Sequence, residues 1–294
     1  MKCNLNIFFF VILLNTVAFA KDSAPLYDDF TPEKISSFAC GLIQNGEYYR
    51  AYVELLRLNS FYPSYISGPS FDITASYLFY KSKKYNDILE SDYSKINENM
   101  LVPLSIFRID SLLKLNRKNE ADIELSKLFE IESYREYESY LYKRKVYISA
   151  LMNKDYDKNR EEFLQYKELF EYSGSIHENM KKPFAGALAG IIPGMGYLYA
   201  GEKGTALVSI IIIGTGSAVT YASYKNEMSA FSVITGAITF FFYGGSIIGG
   251  YMQCKKNNEY LMDTLETKLE RELMLDRDLD EVYVRFGLCS NDFR

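Results

Sequence analysis

The sequence predicts an all-α protein in which a helical-repeat solenoid precedes a small α-helical membrane hairpin unit. Three observations carry this prediction. A glycine–tyrosine–alanine pattern returns, in weakening form, at spacings of 37, 33 and 38 residues through the first half of the chain. Two apolar stretches without charge follow, each about as long as a membrane-spanning helix. The alternation of apolar and polar residues that is typical of strands is hard to find.

The first 20 residues have the layout of a secretory signal peptide. Lys2 precedes an apolar run from Ile7 to Leu14, and Ala18-Phe19-Ala20 offers a small-x-small cleavage site. We expect cleavage after Ala20, so that the mature chain begins at Lys21. An uncleaved N-terminal anchor is the alternative.

Charge and cysteine content exclude some classes of function. The net charge is −5 and no segment is strongly basic, so the footprint of a nucleic-acid-binding protein is missing. Cys40, Cys254 and Cys289 have no close partners in sequence, and no zinc-type spacing occurs. A single cysteine in the exported block does not predict a disulfide scaffold, and Cys40 is expected to be a small buried apolar residue.

The stretch GEYYRAYVELLRLNSFYP, residues 46–63, is typical of a helix–turn–helix repeat. Gly46 allows a tight turn between two helices, and Tyr48 fills the gap beside that turn. Ala51 lets the helices approach closely, and Pro63 ends the second helix.

Weaker copies follow this stretch. Tyr85 and Ile88 take the places of Tyr48 and Ala51, then Ala121 recurs 33 residues later, and Tyr156 marks a fourth unit. Together the copies resemble tetratricopeptide repeats over about residues 35–172, within a domain at 21–180. The resemblance implies a curved surface that binds a peptide or protein segment. An irregular helical bundle is the alternative, and Pro103 is expected at a helix start.

Residues 181–254 form a glycine-rich apolar block that predicts membrane insertion. From Pro183 to Cys254, the charged residues divide the block into segments 183–201, 204–224 and 228–254. The second and third segments are long enough to span a bilayer and show no polar face. They contain no charged residue, which argues against a pump or an ion-coupled transporter. Their serines and threonines are expected to pack helices together.

The first apolar segment is interrupted at Pro193, which removes a helix hydrogen bond. We expect it to be a re-entrant or short helix packed against the two spans, because bent backbone inside a membrane needs such cover. A complete crossing would give three spans and move the tail to the other side. The residues expected to form the turn and the close helix contacts are Gly186, Gly190, Pro193, Gly194, Gly196, Tyr199, Gly201, Gly245 and Gly249.

The motif PGMGYLYAG, residues 193–201, resembles the P-G-x-G-x-x-Y-x-G turn of bacterial hydrophobic C-terminal domains that often follow tetratricopeptide-like segments. That group is similar to the bacterial two-transmembrane-helix domain family, whose turn reads G-x-G-x-H-R-F-Y-x-G. Gly194, Gly196, Tyr199 and Gly201 match its glycines and tyrosine, whereas its His-Arg-Phe is absent. The resemblance covers roughly 181–258 and implies a compact membrane hairpin without an assigned activity.

The remaining 40 residues, 255–294, read as a charged amphipathic helical tail. Residues 257–275 place leucines four positions apart, and we expect a short strand or an extended peptide after them. The helix is expected to cap the repeat domain, to lie along the membrane or to pair with a second copy. The sequence does not choose among these three.

No motif in the sequence indicates catalysis, a metal site or a cofactor. The single histidine, His177, has no partner of a catalytic or metal-binding type near it, and no phosphate-binding loop occurs. The hypothesis is a scaffold in the inner membrane of a bacterium, with its repeat domain on the periplasmic side, where it binds envelope proteins. A small oligomeric conduit or a lipid-handling protein is the alternative; partner and oligomeric state stay open.

Overall fold

The computed structural model describes residues 30–91, 98–154 and 161–289, and all regular structure in these ranges is helical. The predicted signal peptide and Tyr156 lie outside them. The helices are α1 Pro32–Gln44, α2 Tyr48–Phe61, α3 Gly68–Lys81, α4 Tyr85–Glu90, α5 Glu98–Lys114, α6 Lys118–Leu128, a 3-10 helix Glu132–Tyr137, α7 Glu138–Leu151, α8 Glu161–Leu164, α9 Lys167–Asn179, α10 Pro183–Ala189, α11 Met195–Tyr199, α12 Lys203–Lys225, α13 Ser229–Leu273 and α14 Leu275–Phe286. The predicted all-α class is confirmed.

The chain divides into two compact units. The first contains residues up to Leu141 together with those from Asp276 onward, and the second contains Tyr142–Leu275. The boundary predicted after residue 180 falls between α9 and α10, and the boundary predicted after residue 254 falls inside α13.

Three helix pairs in the first unit are joined by the same turn. Gly46, Lys83 and Asn116 each adopt a positive φ after the first helix of their pair, at 76°, 60° and 59°. The amide that follows each of them donates to the carbonyl five residues earlier, at 2.8 Å in all three turns. This bond satisfies a carbonyl that the helix end leaves open. Glycine adopts the left-handed conformation without cost, whereas Lys83 and Asn116 do so against a penalty of about 1–2 kcal/mol.

The residue five positions after each turn centre is fully buried. Ala51, Ile88 and Ala121 occupy this place in the second helix of their pairs. The periodicity seen in the sequence therefore reflects one backbone turn and one closely packed position, repeated three times in the first unit.

Pro103 lies inside α5, five residues after its first residue, and the expectation that it starts a helix is wrong. Its side chain and those of Val102 and Leu104 are buried. Burial of apolar side chains stabilises by about 1.5–3 kcal/mol each, which offsets the hydrogen bond that proline cannot donate.

The expected strand or extended peptide after residue 275 is instead the helix α14. Met274, with φ of 51°, separates it from α13, and the Met274 amide donates to the carbonyl of Glu270. Leu275, Leu279 and Val282 are buried at spacings of four and three residues, which is the period of a helix face.

The second unit contains two long apolar helices, α12 and α13, which pack against each other. Their connection repeats the turn of the first unit: Glu227 has φ of 62°, and the Met228 amide donates to the carbonyl of Ser223 at 3.0 Å. Asn153, after α7, adopts the same conformation. Beyond the apolar part, α13 continues to Leu273 and buries Leu265 and Leu269 there.

Candidate interaction face and membrane turn

The first unit has an aromatic surface, here called the tyrosine face, against which α14 lies. It consists of Thr74, Tyr77, Tyr80 and Lys81 on α3, Glu136 in the 3-10 helix and Tyr140 at the start of α7. The ring of Tyr283 in α14 stacks on that of Tyr77, with centroids 4.0 Å apart and planes at 8°. Tyr48 and Phe107 meet Tyr77 edge-on. Such aromatic pairs add about 0.5–1.5 kcal/mol beyond the burial of their area.

Carboxylates on α14 accept hydrogen bonds from the phenols of this face. The Tyr77 hydroxyl donates to Asp280 at 3.1 Å, and the Tyr80 hydroxyl donates to Asp276 at 3.0 Å. Lys81 pairs with Asp280 at 2.7 Å between Nζ and Oδ1. These contacts recur about one helical turn apart along α14, so they fix its direction and its register.

Two further polar contacts join α14 to this face. The Tyr140 hydroxyl donates to Glu281 at 2.9 Å, and Arg285 pairs with Glu136. Burial, together with the neighbouring carboxylates, raises the pKa of Tyr77 and of Tyr80 above the ordinary value. Burial and the hydrogen bond to Glu281 raise the pKa of Tyr140 to about 12. All three phenols therefore remain proton donors at neutral pH.

A disulfide joins Cys40 of α1 to Cys289, three residues after α14, with their Cα atoms 5.8 Å apart. Cys40 is buried, as expected, but it belongs to a disulfide, which the sequence did not predict. Beside the bridge, the Leu288 amide donates to the Thr74 hydroxyl at 2.9 Å. The two cysteines are 249 residues apart, and only the fold brings them together.

Other predicted repeat residues have structural roles. Gly46 is the turn centre, and Tyr85 packs edge-on against Tyr80. Pro63 follows the end of α2 by two residues. The helix α14 lies on α3, the first helix of its pair, and on the start of α7.

The turn that the sequence predicts to lie in a membrane, residues 190–194, is here called the membrane turn and connects α10 to α11. Gly194 has φ of 81°, and a Cβ added there would meet the Ala206 carbonyl oxygen of α12 at 2.5 Å. Its amide donates to the hydroxyl of Ser246 at 3.4 Å, which in turn accepts from Ser209 at 3.0 Å. Pro193 precedes this residue, so the turn is fixed by backbone shape and by hydroxyl groups from both long helices.

Four glycines bring α10, α11 and α13 together. A Cβ added at Gly250 would come within 2.6 Å of the Gly186 carbonyl oxygen and 2.8 Å of the Gly196 Cα. A Cβ added at Gly190 would lie 2.8 Å from the Cα of Ile247. No side chain other than hydrogen fits between these backbones.

Sequence analysis missed Gly250. It named Gly245, where an added Cβ meets nothing within 4 Å, and Gly249, which faces the ring of Tyr197. The signal was present in the glycine pairs of GGSIIGGY, but the pattern alone does not show which member of each pair faces α10.

Polar side chains of α13 form hydrogen bonds to residues just before α10 and just after α11. Asn257 donates to the carbonyl of Ala200 at 2.7 Å, and Gln253 donates to Glu202 at 3.2 Å. Asn258 accepts from the Lys181 amide and donates to its carbonyl. The Lys181 ammonium lies 5.9 Å from the ring centroid of Tyr199. Gly201, with φ of 94°, supplies the bend into α12.

Hydroxyl groups connect α12 to α13. Thr220 donates to Thr235 at 3.1 Å, and Gly216 lies against Thr239. Thr215 and Ser217 are exposed rather than packed between the helices.

Among the described residues, no group of three or more His, Cys, Asp or Glu is placed to hold a metal ion. The ring Nε2 of His177 lies 3.1 Å from the carbonyl oxygen of Ala150. This histidine therefore takes part in the packing of α9 against α7.

Comparison with models of known protein families, with curated proteins and with solved structures yields no match. The functional interpretation rests on the geometry described above.

Proposed function

We propose that this chain is a non-catalytic adaptor, anchored in a membrane by α12 and α13, whose helix pairs bind another protein of the cell envelope. The observation that carries the proposal is the exposure of the two apolar helices. Both are long and apolar enough to cross a membrane, and only 11% of each apolar stretch is buried within the chain. Core helices of water-soluble proteins are mostly covered.

The exposed surface of these helices fits a bilayer. Val233, Phe240 and Phe241 are each 70% exposed or more, and large continuous apolar patches are rare on soluble monomers. The 23 residues of α12 span about 34 Å, slightly more than the hydrocarbon thickness of a bilayer. Helices α10 and α11, of seven and five residues, are too short to cross.

The disulfide supports the exported location of the first unit and a topology with two crossings. Disulfides persist in oxidising compartments such as the periplasm. Since Cys40 precedes both apolar helices and Cys289 follows them, the chain must cross the membrane an even number of times between them. Two spans meet this condition, with the turn at Lys225–Met228 on the cytoplasmic side. Segment 183–201 then enters the membrane and returns.

The depth of the membrane turn agrees with this topology. Gly194 lies beside Ala206 and Ile210, which follow the first residue of α12 by three and seven positions. At 1.5 Å per residue, Gly194 therefore lies beside a point about 5–10 Å from the start of α12. This depth is about a third of the hydrocarbon thickness of a bilayer at most.

The helix pairs support the binding role. Their shared turn and shared buried position are the features expected of tetratricopeptide-like repeats, which stack pairs and present an extended surface to a partner segment. Tyr49, Val53 and Leu56 on α2 are exposed at spacings of four and three residues, so apolar surface remains outside the tyrosine face.

Cysteine labelling tests the topology. In a Cys254→Ser background, Asn226→Cys and Tyr260→Cys each add one free thiol, the first just before α13 and the second beyond its apolar part. A membrane-impermeant maleimide added to spheroplasts should label Tyr260→Cys at once and Asn226→Cys only after permeabilisation. The reverse pattern, or extraction of the chain by alkaline carbonate, contradicts the anchor.

Photo-crosslinking from Tyr49 and Leu56 in living cells tests the adaptor role. A reproducible adduct with one envelope protein is the expected result, with the exposed Tyr260 position as a control for nonspecific capture. The absence of any adduct that is specific to α2 contradicts it.

A further inference from the structure

We propose that the tyrosine face is a recognition site for an amphipathic helix with carboxylates and a tyrosine in fixed register, and that α14 is its resident occupant in cis. The pattern is read from the contacts: Asp276 and Asp280 lie seven and three residues before Tyr283, and Arg285 follows two residues after it. A partner of this kind carries the two carboxylates and the tyrosine at the same spacing on one side of a helix. The inference rests on the proposed adaptor function and assigns the chemistry of one binding surface.

The face is complementary to such a helix at several points. Tyr77, Tyr80 and Lys81 present donors that Asp280 and Asp276 accept. The Tyr77 ring presents a flat apolar surface on which Tyr283 stacks. When α14 leaves, the phenols lose their acceptors and the ring loses its cover. A helix of the same pattern restores both kinds of contact, whereas an apolar helix would leave the donors unpaired at a cost.

The disulfide determines whether the exchange occurs. While it is closed, α14 is held at both ends, by Met274 on one side and by Cys289 on the other. Thiol–disulfide exchange with a dithiol reductant oxidises the reductant to its own disulfide and leaves Cys40 and Cys289 as thiols. Only the Met274 end then remains attached, and α14 can move away from the face. Both cysteines are buried in the closed form.

The experiment must weaken the cis occupant, because a tethered helix competes at a local concentration on the order of millimolar. The variant Tyr283→Ala, in a Cys254→Ser background, lacks the stacked ring but keeps the disulfide. The probe is a fluorescent peptide copying residues 275–288, added to the full chain in detergent micelles. Binding is followed by anisotropy before and after treatment with dithiothreitol.

The reduced Tyr283→Ala chain should bind the peptide at least tenfold more tightly than the oxidised Tyr283→Ala chain. The reduced chain with Tyr283 intact should bind it more weakly than the reduced variant, because its own α14 competes. A peptide in which the position of Tyr283 carries alanine should lose binding at least tenfold. A second variant, Cys289→Ser with Tyr283→Ala, should bind without reductant.

Equal binding by the oxidised and reduced Tyr283→Ala chains would overturn the proposal. So would a lack of binding by both the reduced variant and the Cys289→Ser double variant, provided that their far-ultraviolet circular dichroism remains helical. No envelope protein takes part in this assay, so its failure is separate from a failure of the crosslinking test.

Discussion

Substitution of Gly250 tests how strongly the close contact between α13 and the membrane turn stabilises the turn. In Gly250→Ala, the new methyl group would lie 2.6 Å from the Gly186 carbonyl oxygen and 2.8 Å from the Gly196 Cα. An ordinary contact begins near 3.4 Å, so the backbones must separate by about 0.8 Å. Both neighbours are backbone atoms, and no side chain can rotate to relieve the contact.

The expected cost is that of overpacking, about 1–3 kcal/mol. The matched control is Gly244→Ala on the same helix, where the new methyl group meets nothing within 4 Å. Alanine favours a helix over glycine by about 1 kcal/mol, so the control should be neutral or slightly stabilising. The difference between the variants isolates the contact between α13 and the turn.

Cys254 reports on this contact. It is a free thiol, it is fully buried, and its sulfur lies 2.6 Å from the position of a Cβ at Gly186. Alkylation by a water-soluble maleimide requires the turn to open, so its rate follows the open population. A loss of 1–3 kcal/mol corresponds to roughly 5- to 150-fold faster labelling in Gly250→Ala, with an unchanged rate in Gly244→Ala. Equal rates in the two variants would refute the packing argument.

Three further outcomes are expected. Cys289→Ser should lower the free energy of unfolding of the first unit by up to about 5 kcal/mol, the chain-entropy value for a loop of 249 residues. Urea titration with and without reductant measures this loss. Reductant should have no effect on the variant. Tyr283→Ala should lower the same free energy of unfolding by about 3–5 kcal/mol, because a fully buried aromatic ring is lost. Tyr260 is exposed, so Tyr260→Ala should change this free energy by less than about 0.5 kcal/mol. Alkaline pH should destabilise the first unit, because the pKa values of Tyr77, Tyr80 and Tyr140 are higher in the folded state than the unfolded value near 10. The contribution of these phenols to the free energy of unfolding is complete below pH 10. It is lost as pH rises through each folded pKa value, which for Tyr140 is about 12. Replacing Tyr140 by Phe should flatten the part of the loss between pH 10 and 12, and an unchanged slope contradicts the assignment.

The sequence predicts features that a short segment determines by itself. The turn at Gly46 restricts the residue type at one position, and the close approach at Ala51 restricts another, so both leave a periodic trace. The two long apolar helices are visible in the sequence because their apolar composition continues over about 20 consecutive residues, the length that a membrane span needs.

Other features depend on contacts that no local pattern records. Cys40 and Cys289 meet only because α14 returns to the first unit. The identity of the glycine that contacts α10, Gly250 rather than Gly245, depends on the rotation of α13 about its axis, which tertiary packing sets. The helical state of residues 275–286 depends likewise on the tyrosine face that buries Leu279 and Tyr283.

The bond between Cys40 and Cys289 makes a macrocycle of most of the chain, with both long apolar helices, α12 and α13, inside the ring. One proteolytic nick anywhere between these cysteines opens the ring but leaves the two pieces covalently joined. Cleavage at the short connection between α12 and α13 would therefore release nothing on a non-reducing gel, and two fragments would separate only after reduction.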